Sequence, residues 1–200
     1  MKKILVYIVV LLAVIGCSEK SKNYKITANV EKIIITTNPH YQTLTYIISF
    51  NNNSDKNIIL FANSFVKDET YKACGIMLKT NVLTTPIGAM ISIENKISIK
   101  SKSTEKYLFA YSNKYPNKWK KINDSNVKQE LTKLAKSASL YYSYDKTAIA
   151  NSYNVSELKE SIVFDKDFPV RMNNIQIEYK DQITLEEAMK LVGGKIEIKK

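Results

Sequence analysis

Few side chains in this 200-residue sequence combine the types and spacing that chemistry requires. His40 is the sole histidine and lies in Asn-Pro-His-Tyr-Gln, a turn-like stretch without a nucleophile motif. A Ser-His-Asp or Cys-His site would need this imidazole as its base, and zinc sites normally use several histidines or cysteines. We therefore interpret His40 as an exposed turn residue. The sequence predicts no catalytic residue, no metal site and no cofactor.

Two pairs of carboxylates have a spacing that glycoside hydrolysis could use. Asp165 and Asp167 flank a lysine, and a solvated turn is the simplest interpretation of that stretch. Glu186 and Glu187 fall in the first turn of a predicted helix, where acidic side chains complement the helix dipole. Neither pair belongs to a catalytic motif. A calcium site built from Asp165, Asp167 and carbonyl groups stays open.

Cys17 ends the most distinctive stretch of the chain. Lys2 and Lys3 precede an apolar run from Ile4 to Ile15. This run matches a secretory signal and is shorter than the about 20 residues that cross a bilayer. It ends in Val14-Ile15-Gly16-Cys17, which resembles the lipobox of bacterial lipoproteins: Leu, Val or Ile, then a small or aliphatic residue, then Gly, Ala or Ser, then Cys.

The resemblance implies that diacylglycerol is attached to Cys17 by a thioether and that signal peptidase II cleaves after Gly16. Two acyl chains anchor a protein firmly, whereas a single chain binds membranes only marginally. We expect a lipoprotein signal peptide over residues 1–16, a lipidated N-terminus and tether over 17–23, and a single β-rich domain over 24–200. The alternative is a plain signal peptide or N-terminal anchor with an incidental cysteine.

A lipid anchor at Cys17 would hold the protein in the bacterial cell envelope. In a Gram-negative cell we expect the outer membrane, because Ser18 rather than aspartate follows the cysteine. In a Gram-positive cell the same anchor implies the outer face of the plasma membrane. With Cys17 acylated, Cys74 has no partner within the chain. We predict that Cys74 is buried as a small hydrophobic residue; an intermolecular disulfide and catalysis are the alternatives.

The charge of the chain indicates which partners it favours. Lys and Arg number 30 against 19 Asp and Glu, for a net charge of +11, and Arg171 is the only arginine. Because nucleic-acid readers depend on arginine for bidentate contacts, we do not predict nucleic acid as a partner. A lysine-rich protein favours anionic surfaces such as lipid headgroups or cell-wall polymers.

One stretch interleaves aromatic and basic side chains in a way that suggests a binding surface. Its members are Lys114, Tyr115, Lys118, Trp119, Lys120 and Lys121. Such a loop can stack on sugars, contact an anionic polymer or rest at a membrane interface. The alternative is that Trp119 packs beneath the loop while the lysines face water.

The elements that must position these residues are mostly strands. Alternation of apolar and polar residues predicts strands over 26–35, 44–50, 58–61, 107–111, 140–144, 162–164 and 175–179. The polar stretch 51–57 predicts a hairpin between the second and third of these. Ile91 and Ile93, followed by Ile97 and Ile99, suggest a further hairpin around Asn95 and Lys96. Helical periodicity predicts a short helix near 125–138. A capping box at Thr184 and a terminating Gly193 predict a second, near 185–192.

This layout resembles the immunoglobulin-like sandwiches of secreted bacterial proteins. We therefore expect a mainly β fold, a single antiparallel β-sandwich with two short helices. The predicted function is that of a membrane-anchored envelope lipoprotein with a non-catalytic binding or scaffolding role, whose partner is an envelope protein or an anionic cell-wall polymer. The alternatives are an immunity or inhibitor lipoprotein that blocks a toxin or hydrolase, and an enzyme of unknown type.

Overall fold

The structure is a computed structural model that describes residues 26–37, 41–62, 64–66, 72–81, 84–90, 96–114, 125–145 and 161–193. The described residues form thirteen strands and two helices. The strands are β1 (Ile26–Thr37), β2 (Tyr41–Asn52), β3 (Ile58–Phe61), β4 (Ser64–Val66), β5 (Lys72–Lys79), β6 (Thr84–Pro86), β7 (Gly88–Ala89), β8 (Lys96–Ile99), β9 (Ser103–Lys114), β10 (Ser139–Ser143), β11 (Ile162–Val163), β12 (Phe168–Arg171) and β13 (Gln176–Lys180). The helices are α1 (Ser125–Ser137) and α2 (Leu185–Leu191).

Three long antiparallel strands, β1, β2 and β9, form the centre of the larger sheet. Each is rich in the β-branched and aromatic residues that favour strands. The register between β1 and β2 runs from Ile26 opposite Asn52 to Thr37 opposite Gln42. Strand β2 pairs with β9 along its whole length. The predicted strands at 26–35 and 44–50 are therefore confirmed, and both are longer than predicted.

A bulge interrupts β1 because Glu31 is an extra residue between Val30 and Lys32, which lie opposite Ile48 and Ile47 of β2. A bulge shifts the alternation of the strand by one residue. The apolar residues of β1 accordingly change from even numbers before the bulge to odd numbers after it. Both sets reach the same core, as shown by the burial of Val30 and Ile33.

The larger sheet is mixed, so the predicted purely antiparallel pairing is wrong. Both β12 and β13 pair with β1 in parallel, with Val170 beside Ala28 and Ile177 beside Ile33. Parallel neighbours need long connections, and these strands lie more than a hundred residues along the chain from β1. The other antiparallel part of this sheet runs from β12 through β10 to β5 and β4.

The larger sheet also curls until it nearly closes on itself. The segment from Thr84 to Met90 pairs first with β5 and then with β9, which stand near the two ends of the sheet. The Ile87 N–H donates to the Ile76 carbonyl at 2.8 Å, and the Met90 N–H donates to the Leu108 carbonyl at 2.9 Å. The mainly β class is thus confirmed, but the immunoglobulin-like sandwich is not.

A smaller sheet of order β11-β3-β8 packs at one end of this curled sheet. Its strand β3 pairs with β8 and β11, so the hairpin predicted between β2 and β3 is wrong. The reason is Asn52, whose side-chain amide donates to the carbonyls of Lys56, Ile99 and Lys100 at 2.8–3.1 Å. These bonds turn the chain out of the larger sheet and tie it to the segment after β8.

Both predicted helices are confirmed. Helix α1 buries Leu131 and Ala135 in the main core. Helix α2 packs Ala188 against the outer face of the larger sheet, where it meets Ile34, Ile47 and Leu108. Its N-cap is a capping box between Thr184 and Glu187, as the sequence predicts. After it, Gly193 has a φ of +73°, a conformation that suits glycine.

Candidate binding site at the mouth of the curled sheet

One end of the curled sheet has the features of a binding site. Here β1 ends, β2 begins and β9 ends, so that Gln42 lies between Thr37 and Asn113. We call this end the mouth. The opposite end, where β1 begins at Ile26, is the one against which the smaller sheet packs.

Strand register arranges the inward side chains at the mouth in rows. Because side chains alternate along a strand, Gln42, Leu44 and Tyr46 share one face, and the latter two belong to the main core. The outermost row contains Gln42. The second row is Ile35, Leu44, Tyr111 and Tyr179, and the third is Ile33, Tyr46, Phe109 and Ile177.

Two buried polar atoms in this arrangement have no hydrogen-bond partner among the described residues. They are the Oε1 atom of Gln42 and the Oη atom of Tyr46. Gln42 is 5% exposed and Tyr46 is 0% exposed. Buried polar groups in folded proteins are nearly always hydrogen-bonded, so each exception calls for an explanation.

The Tyr46 hydroxyl is a neutral group. Burial first, and then the nearby Tyr111, raise the pKa of Tyr46 above its ordinary value. The phenol therefore stays protonated at physiological pH, and it can both donate and accept a hydrogen bond.

Helix α1 lies along one side of the mouth. The hydroxyls of Thr132 and Tyr179 are hydrogen-bonded to each other. The Nζ atom of Lys128 lies 5.3 Å from the centre of the Tyr179 ring, within the range of a cation–π contact. Tyr179 is itself 38% exposed. The mouth is therefore bordered by an accessible aromatic ring with a cation beside it.

The stretch that the sequence predicts as a binding surface begins at the mouth. Lys114 is the last residue of β9 and pairs with Tyr41, the first residue of β2. The remaining members, Tyr115, Lys118, Trp119, Lys120 and Lys121, lie outside the described residues, as do His40 and Cys17. The structure thus places the start of this stretch at the mouth, opposite Tyr41, the residue that precedes Gln42 in β2.

Cys74 is buried, as predicted. Its Sγ atom accepts a hydrogen bond from the Asp145 N–H at 3.3 Å. Burial raises the pKa of the Cys74 thiol, and a thiol that stays protonated is a poor nucleophile. This environment fits the small hydrophobic residue that the sequence predicts.

The acidic pairs have contacts that support the fold. Asp167 accepts a hydrogen bond from the Tyr144 N–H at 2.8 Å. Glu186 pairs with Lys190 at 2.8 Å, and Glu187 with Lys180 at 3.0 Å. Within the described ranges, no group of three or more His, Cys, Asp or Glu residues is arranged to hold a metal ion.

A concavity of about 590 Å³ lies between β9 and the C-terminal end of α2. Its lining includes Lys106, Leu108, Lys190 and Leu191. Lys106 pairs with Glu31 at 2.6 Å, and Lys190 pairs with the preceding turn of its own helix. Both of these cationic side chains therefore already have partners in the fold.

Gln42 and Tyr46 are not among the site residues that the sequence predicts. A signal was present, because Gln42 is in phase with Leu44, Tyr46, Ile48 and Phe50 and is therefore a polar residue on the apolar face of a strand. That Tyr46 lacks a partner depends on the packing of distant strands and could not be predicted.

Comparison of the chain with protein-family models, with curated proteins and with solved structures finds no match. Neither helix in the described part of the chain has the length and apolar character needed to cross a membrane.

Proposed function

We propose that this protein is a lipid-anchored component of the bacterial envelope that binds an anionic envelope polymer at the mouth of its curled sheet, without catalysis. The observation that supports this most directly is the juxtaposition at the mouth. Two buried polar groups without partners among the described residues, Gln42 and Tyr46, lie on the inward face of β2 near the end of the sheet where β9 ends at Lys114 and the aromatic and basic stretch begins. Aromatic rings with lysines suit a polymer that presents both sugar faces and negative charge.

The direction of β1 supports this arrangement. The chain enters the sheet at Ile26, opposite the mouth, and β1 runs to the mouth at Thr37. At about 3.3 Å per residue this strand is about 40 Å long. The segment from Cys17 to Ile26 reaches at most about 30 Å when extended. An anchor at Cys17 would therefore hold the entry end near the membrane and direct the mouth away from it.

Two experiments test the proposal. The first is mass spectrometry of the protein extracted from its own membranes, which should show an N-terminal Cys17 carrying diacylglycerol. An unmodified Cys17 would overturn the anchor. The second is co-sedimentation of the mature protein with isolated cell-wall sacculi at low and high salt, where we expect binding that weakens as salt rises.

A matched pair of variants makes the second experiment specific. The first variant changes three lysines of the stretch to glutamine: Lys118, Lys120 and Lys121. The control makes the same change at three exposed lysines toward the opposite end of the sheet: Lys56, Lys100 and Lys166. We expect the first variant to lose binding and the control to keep it. Equal binding by both variants, or no binding by the wild type, would contradict the proposed function.

A further inference from the structure

We propose that Gln42 and Tyr46 form a recognition site for the hydroxyl groups of a saccharide unit. This inference rests on the proposed function and names the part of the polymer that enters the mouth. It begins from the two buried polar atoms that no described residue satisfies, Gln42 Oε1 and Tyr46 Oη. They lie on one face of β2, four residues apart, with Gln42 in the outermost row of the mouth and Tyr46 two rows deeper.

The chemistry of the two atoms selects the ligand. The Gln42 Oε1 atom can only accept a hydrogen bond, whereas the neutral Tyr46 hydroxyl can donate and accept. A phosphate or carboxylate offers acceptors alone and would leave Gln42 Oε1 unsatisfied. An ammonium group offers donors alone, and the described inward rows contain no carboxylate to balance its charge. Each hydroxyl group of a sugar can both donate and accept a hydrogen bond.

The surroundings of the two atoms fit the other part of a sugar, its apolar ring face. Tyr111 and Tyr179 lie in the second row, between Gln42 and Tyr46 in depth. Both rings are at least partly exposed. Binding sites for small ligands typically combine such apolar and aromatic walls with a few precisely placed polar groups.

No described residue bonds the Tyr46 hydroxyl. Tyr142 is an equally buried tyrosine of the same core, and its hydroxyl accepts a hydrogen bond from the Phe61 N–H at 3.2 Å. A phenylalanine would fill the space of Tyr46 without an unpartnered buried group. A polar group that the fold does not need is expected at functional sites, where local stability is given up for activity.

Because Tyr46 is fully buried, a ligand reaches it only when side chains of the outer rows move. We therefore expect the mouth to open on binding. On one side of the mouth, α1 holds Tyr179 in place. Thr132 bonds the Tyr179 hydroxyl, and Lys128 lies over the Tyr179 ring.

The test is isothermal titration of the mature protein with two soluble probes, the neutral tetramer of N-acetylglucosamine and the anionic tetramer of galacturonate. Two variants each remove one polar group while keeping the side-chain size, Tyr46→Phe and Gln42→Met. Tyr141→Phe is the matched control. It also removes a tyrosine hydroxyl, but from the face of β10 opposite the one that carries the buried Tyr142. We expect the neutral tetramer to bind the wild type and the control equally, and each mouth variant to bind it about tenfold more weakly.

The outcomes separate the two proposals. Equal binding by the wild type and the mouth variants would overturn the saccharide site. Binding of the anionic tetramer alone, unaffected by Tyr46→Phe, would overturn it as well. Absence of binding to either probe would also overturn it. In each of these cases, co-sedimentation with sacculi that depends on Lys118, Lys120 and Lys121 would still support the proposed function, and loss of that dependence would contradict it separately.

Discussion

The hydroxyl of Tyr142 accepts a hydrogen bond from the backbone N–H of Phe61 at 3.2 Å and so connects the larger sheet to the smaller one. Both residues are almost fully buried. The Tyr142 ring also stacks on Phe168, with 5.1 Å between ring centres, and meets Phe164 edge-on. One phenol thus joins β10, β3 and the aromatic residues around β12.

Removing that hydroxyl should destabilise the fold. In Tyr142→Phe the Phe61 N–H loses a buried acceptor, while the ring contacts with Phe168 are kept. We expect the free energy of unfolding to fall by about 1–2 kcal/mol, since the cost of a buried donor without its acceptor exceeds the value of an average hydrogen bond. Urea unfolding followed by circular dichroism measures this directly. An unchanged midpoint and slope would show that the bond contributes nothing to stability.

Asn52 should be the polar residue to which stability is most sensitive. Its amide donates to three carbonyls, and its Oδ1 atom accepts from the backbone N–H and the hydroxyl of Ser54 at 2.9 and 2.6 Å. Asn52→Ala leaves several of these groups without partners, so we expect a loss of about 2–4 kcal/mol. The control is Asn53→Ala, which changes an exposed neighbour. If both variants unfold at the same urea concentration, the role of Asn52 is refuted.

The capping box of α2 gives a smaller and separable effect. The Thr184 hydroxyl accepts from the Glu187 N–H at 3.2 Å, and the Glu187 carboxylate accepts from the Thr184 N–H at 3.2 Å. Thr184→Ala should cost about 1 kcal/mol, whereas Thr184→Ser keeps the hydroxyl and should cost little. Thermal unfolding of the two variants side by side measures the difference. Equal melting temperatures would contradict a capping role.

Stability should fall in acid partly through a surface ion-pair network. Hydrogen bonds from Lys32 and Lys180 lower the pKa of Glu178, and those from Lys180 and the Thr184 N–H lower the pKa of Glu187. Because the folded pKa values lie below the ordinary value of 4.5, these carboxylates stabilise the fold above that pH. That contribution is lost as the pH falls below 4.5 through the lowered folded values.

The measurement for this network is urea unfolding at several pH values between 6 and about 3, near and below the ordinary carboxylate pKa. Lys180→Met removes the cation that both glutamates share, so the variant should lose less stability over this range than the wild type. The comparison is Lys190→Met, which breaks only the exposed pair with Glu186. Parallel pH profiles for the wild type and Lys180→Met would refute the assignment.

Local pattern predicts several elements of this fold, while the partners of the strands depend on distant residues. The alternation at Ile26, Ala28 and Val30 predicts β1, and the change of phase at Ile33 is the trace of its bulge. The capping residues around Thr184 predict the start of α2. No local signal indicates that β12 and β13 return to pair with β1 in parallel.

The candidate site divides in the same way. The residue types from Lys114 onward predict a binding surface, and the sequence also places Gln42 as a polar residue on the apolar face of its strand. Its position beside Lys114 follows only from the register of β2 and β9. Closure of the sheet by the segment from Thr84 to Met90 also escapes local analysis, because Pro86 and Gly88 favour a turn or loop there.

The central claim is that the mouth contains polar groups that serve a ligand and not the fold. The free energy of unfolding of Tyr46→Phe tests it most directly, with Tyr142→Phe as the matched comparison. We predict that Tyr46→Phe is at least as stable as the wild type, because it removes a buried hydroxyl without a partner among the described residues. A loss of stability equal to that of Tyr142→Phe would show that the Tyr46 hydroxyl is bonded within the fold and would contradict the claim.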